Sequence, residues 1–131
     1  MLVKAITVRY IVYGFYVYDD LYNTILNDFN KYSKSNNLDI KLEMVLFTEN
    51  NITTGRDSYT STIEGYLLKR NKLYDLFIYD PIYTRRFSSH FINLKDYLGD
   101  DYFNDYSYDA YQISTYNDRW VSLVSLLFNN F

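Results

Sequence analysis

The stretch KLYDLFIYDPIYTRRFSSHFINLKDYL, Lys72 to Leu98, decides how this chain folds. Its core, YDLFIY (Tyr74 to Tyr79), is a near-continuous apolar run free of glycine and proline, which predicts a strand at the centre of a sheet, covered on both faces. The run stops at Asp80-Pro81, where proline removes a backbone donor and fixes φ. The chain then reverses into a short helix with an apolar return. An acid and a proline at a strand end read in two ways: the rim of a ligand site, or ordinary packing around a reversal.

Working back from that strand, AITVRYIVY (Ala5 to Tyr13) is β-branched and aromatic and predicts a first strand, with Gly14 permitting a turn. Asp19 or Asp20 can cap a helix whose Tyr22, Ile25, Leu26, Phe29 and Tyr32 recur at helical spacing, and SKSNN ends it. LDIKLEMVLF (Leu38 to Phe47) alternates as a second strand. After the polar loop TENNITTGRD, Asp57 or Ser58 can cap a second helix with Tyr59, Ile63, Tyr66, Leu67 and Arg70 on one side. The order is β-α-β-α-β, so the expectation is an α/β fold: a three-layer α/β/α lobe with a mostly parallel sheet. Ligands of such sheets sit at the carboxyl ends of the strands. Three segments converge there: Tyr13 to Tyr18, Phe47 to Arg56, and Tyr79 to Tyr83.

Beyond Leu98 the pattern changes. GDDYFNDYSYDAYQISTYNDR is acidic, tyrosine-rich and without sustained periodicity, and WVSLVSLLF (Trp120 to Phe128) reads as a strand or strand-to-helix segment in need of partners. With no proline- or glycine-marked linker, residues 1–131 are expected to form one domain.

Composition bounds the function. Hydrophobic residues at 48% against 22% charged give a globular chain able to build a core. The net charge of −3, with no basic stripe, gives no electrostatic footprint for nucleic acid. No run approaches the length of a membrane span, and the absence of cysteine leaves the redox compartment open. There is no glycine-rich phosphate loop, and the single histidine, His90, cannot build a zinc site or a Cys-His pair, nor does any serine sit in a nucleophile elbow. His90 reads as a helix C-terminal residue. Asp100, Asp101, Asp105 and Asp109 lack the spacing of a calcium loop and read as solvated, helix-capping acids. No cofactor and no metal is expected. The tyrosines at the predicted edge offer aromatic area beside carboxylates that fix hydroxyl groups, which suits a sugar; the competing reading is simple packing. Asn51 opens a glycosylation sequon, NIT, used only on a secretory route.

In this order the motifs resemble the first lobe of an extracellular solute-binding protein of the type 2 periplasmic-binding fold, the maltose-binding-like group. AITVRYIVYGFYVYDDLYNTILNDFNKYSKSNNLDIKLEMVLF resembles its opening strand, turn, helix and second strand. STIEGYLLKRNKLYDLFIYDPIY resembles the second helix and third strand, FINLKDYL the return, and NDRWVSLV the strand that leads toward the hinge. The resemblance implies a non-enzymatic clamp that traps a small solute, often a saccharide, and serves extracellular transport or reception. It implies ligand-facing roles for Tyr13, Phe15 and Tyr16, for Asp80, Ile82 and Tyr83, and for Ser125 near the hinge. Asn93 and Val124 stand where the family usually has proline, and no secretion signal is present. The chain stops where the family crosses into its second lobe, so one wall of a clamp is expected, with the second lobe or a membrane-anchored partner missing. Two other classes stay open: a carbohydrate-active enzyme lobe using Asp80 with Glu49, and an interaction module docking through an exposed WVSLVSLLFNNF.

Overall fold

The computed structural model describes residues 5–14, 19–48, 50, 55–69 and 72–124. Strand β1 (Ile6–Tyr13) leads into helix α1 (Asp19–Ser35), strand β2 (Ile40–Phe47), helix α2 (Gly55–Leu68) and the short strand β3 (Leu76–Phe77). β1 pairs in parallel with β2 along its length, from Ile6 opposite Ile40 to Tyr13 opposite Phe47, and with β3 at Tyr10–Leu76 and Ile11–Phe77. The protein is α/β, with a three-stranded parallel sheet in the order β2-β1-β3. Because the order reverses direction at β1, the right-handed crossover rule assigns α1 and α2 to opposite faces.

The centre of the sheet is β1, not the third strand as the apolar run predicts. Among the described strands only β1 has a partner on each side, and Tyr10, Ile11, Val12 and Tyr13 are all buried, whereas Leu76 of β3 is 51% exposed. β3 is short partly because a side chain does some of its pairing: the Arg9 N–H donates to the Asp75 carboxylate at 2.8 Å, where a strand would offer a carbonyl.

α1 ends as its sequence demands. Asn37 adopts φ 53°, the left-handed geometry asparagine tolerates; its N–H reaches the Lys34 carbonyl, and Leu38 N–H reaches that of Ser33 at 3.0 Å. The inward stripe differs from the expected one. Tyr22, Leu26, Phe29 and Ser33 turn away from solvent, while Ile25 and Tyr32 are exposed. Polar Asn30 and Ser33 face the sheet because they bond to β2, which a hydrophobic periodicity cannot register.

α2 begins at Gly55, two or three residues before the expected caps, and buries Tyr59, Thr60 and Ile63. Gly65 lies inside this helix, and a Cβ built there meets nothing within 4 Å. Gly65→Ala is therefore expected to stabilise the protein by about 0.5–1 kcal/mol, read as a rise in the urea midpoint.

The chain divides into two compact units, Met1–Tyr79 and Asp80–Phe131. The second holds a 3-10 turn at Pro81–Tyr83, helix α3 (Thr84–Phe87), further 3-10 turns at Ser88–His90 and Leu94–Asp96, helices α4 (Asp100–Phe103) and α5 (Tyr108–Ser114), and the hairpin β4 (Thr115–Tyr116) and β5 (Arg119–Trp120). The acidic segment without periodicity is thus two short helices, α5 being capped by Ser107 Oγ, which accepts from Ala110 N–H at 3.2 Å. The hairpin turns on Asn117 and Asp118, at φ 50° and 58°, the left-handed pair of a type I′ turn.

Of the segment expected as a final strand, the described part opens with strand β5, and Trp120 and Val121 are buried; residues 125–131, most of the stretch expected to dock, lie outside the described residues. Trp120 sits among Phe103, Tyr106 and Tyr111, with ring centroids 4.3, 5.2 and 5.5 Å away. Arg119 donates from its guanidinium to the Ser88 carbonyl at 3.1 Å and to that of Phe91, occupying the carbonyl end of the Ser88–His90 turn. Asn93 caps the next turn and accepts from Trp120 N–H at 3.0 Å. Proline at that position would lose both bonds, which accounts for the asparagine.

Candidate functional site

In the first unit the carboxyl end of the sheet is an aromatic cluster. The Tyr13 ring lies 5.5 Å from that of Tyr59, which lies 5.9 Å from Phe47. Alternation along β1 turns Tyr13 toward α2, and Tyr59 answers from the first turns of that helix. The Tyr59 hydroxyl donates to the Ile78 carbonyl at 2.6 Å, fixing α2 to the chain just beyond β3. Gly14 N–H continues the β1–β2 ladder to the Phe47 carbonyl at 2.8 Å. Tyr13 is 8% exposed, so its ring faces Tyr59 and little of it faces solvent.

Burial pushes the Tyr59 hydroxyl far above the ordinary tyrosine range, with nearby Tyr22 adding to the rise, and burial pushes Tyr10 up for the same two reasons. Unfolded tyrosine ionises near pH ~10, while folded Tyr59 stays neutral. The stability this confers is whole below that pH and is lost as pH rises above it. Tyr59→Phe is expected to cost about 1–2 kcal/mol at neutral pH, for the orphaned Ile78 carbonyl, and to flatten the alkaline loss of stability. Urea unfolding at pH 7 and pH 10.5 checks both.

In the second unit Asp80 and Pro81 open a 3-10 turn. The Asp80 carboxylate accepts from Ile82 N–H at 3.1 Å, its carbonyl accepts from Tyr83 N–H at 3.0 Å, and Pro81 fills the first position, where no donor is needed. The acid and the proline together stop the strand and start the turn. Ile82 is 73% exposed, and Tyr83 leans on Phe87 at 6.0 Å. Asp80→Ala is expected to cost about 0.5–2 kcal/mol through loss of the cap, measured by thermal unfolding.

The predicted site residues that the structure describes can now be placed. Tyr13 belongs to the aromatic cluster of the first unit; Asp80, Ile82 and Tyr83 share one turn of the second. Phe15, Tyr16, Asn51 and Ser125, with Glu49 of the enzymatic alternative, lie outside the described residues. His90 ends the Ser88–His90 turn, and Asp100, Asp101 and Asp109 occupy first turns of α4 and α5, where helix dipoles favour acids. Among the described residues no three of His, Cys, Asp and Glu gather as metal ligands, and no helix is long and apolar enough to cross a membrane. A shallow depression of ≈ 380 Å³ at the opposite, amino end of the sheet is lined by residues including Asn30, Ser33, Lys34 and Asp39. Sequence reasoning passed over Asn30, Ser33 and Arg119 and met Asn93 only as a departure from the family's proline; all four bond backbone groups outside their own elements.

No family model, curated protein or solved structure matches the chain.

Proposed function

We propose that this chain is a non-catalytic binding lobe for a small polar solute, a saccharide above all, held at the carboxyl edge of the sheet. One observation carries the reading: β1 and β3 lie side by side while the chain leaves β1 toward β2, so the sheet reverses direction between them. Open α/β sheets take their ligands outside the carboxyl ends of strands at such a reversal. Here those ends are Tyr13-Gly14 and Ile78-Tyr79, all within the first unit. Aromatic faces beside hydrogen-bonding groups suit a sugar, whose ring carries C–H on one side and hydroxyls around its rim. The ordered resemblance to the solute-binding lobe supports the same class. An acid-base role for Asp80 fits less well, because its carboxylate already holds the Ile82 N–H.

Calorimetry with mono- and disaccharides tests this, using Ile78→Ala and Tyr79→Ala beside the parent. Ile78 is 38% exposed, so its truncation disturbs packing little. The reading expects at least one sugar to bind and both variants to weaken it tenfold or more. Absence of binding across the panel, or affinity unchanged in both variants, overturns it.

A further inference from the structure

Among the described strands β2 is an outer one, and outer strands present N–H and C=O groups on which another chain can build. The register fixes which residues these are. Ile6 N–H donates to the Asp39 carbonyl at 2.7 Å and Gly14 N–H to that of Phe47 at 2.8 Å, so the odd-numbered residues of β2 turn their backbone toward β1. Even-numbered residues turn theirs outward.

Two successive outward positions are occupied by side chains of α1. Ser33 Oγ donates to the Ile40 carbonyl at 2.6 Å and accepts from Ile40 N–H at 3.3 Å. Asn30 Nδ2 donates to the Leu42 carbonyl at 3.1 Å, and its Oδ1 accepts from Leu42 N–H at 2.8 Å. Each side chain makes the two bonds that a residue of an added strand would make. The spacing works because three helical residues rise about 4.5 Å and two strand residues about 6.6 Å, a gap that a short serine and a longer asparagine bridge.

The strand most readily added is β2 of a second copy. Antiparallel pairing about Leu42 sets Leu42 against its equivalent, Ile40 against Met44, and Lys41 against Glu43. Apolar residues then meet on one face, and opposite charges meet on the other, where Lys41 and Glu43 already lie 3.0 Å apart within one chain. The pairing is self-complementary about a two-fold axis, as a closed dimer requires.

We propose that Asn30 and Ser33 form an edge guard, holding β2 closed to pairing with β2 of a second molecule. The double variant Asn30→Leu/Ser33→Ala removes all four bonds while keeping the helix side apolar. In it, at concentrations low enough to keep the chain monomeric, amide exchange at Ile40 and Leu42 is expected to quicken tenfold or more, while Lys41 and Glu43, bonded to β1, keep their rates. Sedimentation velocity is expected to show a concentration-dependent dimer, lost on adding Glu43→Lys, which sets lysine against lysine. A double variant that stays monomeric overturns the proposal, as does a dimer that survives Glu43→Lys. If the double variant fails to fold, Ser33→Ala alone decides: faster exchange confined to Ile40 supports the guard, and an unchanged rate overturns it.

Discussion

Trp120→Ala is expected to lower stability by about 3–5 kcal/mol, the range for emptying a buried aromatic site. Trp120 is 3% exposed, and three rings close on it from α4, α5 and the segment between them. Its backbone N–H also holds Asn93, so the cavity would open where the hairpin meets the return. Trp120→Phe should cost much less. The indole N–H is buried without an acceptor among the described residues, and removing it relieves a desolvation penalty that offsets part of the lost contact. Urea unfolding followed by far-UV circular dichroism measures both, since the chain's single tryptophan is absent from the variants. A loss below about 1 kcal/mol for alanine would contradict the placement of Trp120 as the centre of this cluster.

Ile11→Ala should be the costliest aliphatic truncation in the first unit, at about 2–5 kcal/mol. Ile11 is fully buried on a strand with a partner on each side, so neighbours on both flanks resist closing the gap. Ile6 lies at the other end of the same strand and is exposed; Ile6→Ala should change stability by less than about 0.5 kcal/mol. The contrast between two isoleucines on one strand separates the effect of burial from that of strand propensity. Equal losses would contradict the assignment of β1 to the sheet centre.

How far the sequence could be read follows from what kind of signal each element carries. β1, α1, β2 and α2 announce themselves by β-branched runs and by periodicity, so their order and the parallel sheet were legible. The rank of the strands was not. YDLFIY and β1 each hold an apolar run of four residues, and centrality depends on having two neighbours, which no run of residues records. In the second unit, elements of two to seven residues are too short for periodicity, and are fixed instead by Ser107, Asn93, Arg119 and the Asn117-Asp118 turn. The Asn-Asp pair was the readable signal there, since both residues tolerate left-handed geometry. Asp80-Pro81 was readable as punctuation, and its local role as a turn cap is the part the structure supplies.

Chemical-shift mapping of the isotope-labelled chain, titrated with the saccharide panel, tests the binding reading most directly. The account predicts that amides of Gly14, Ile78 and Tyr79 move in a saturable way, while those of Asn37 and Lys41 at the amino end of the sheet stay fixed. Saturable shifts confined to the amino end, or none at any residue, would contradict it.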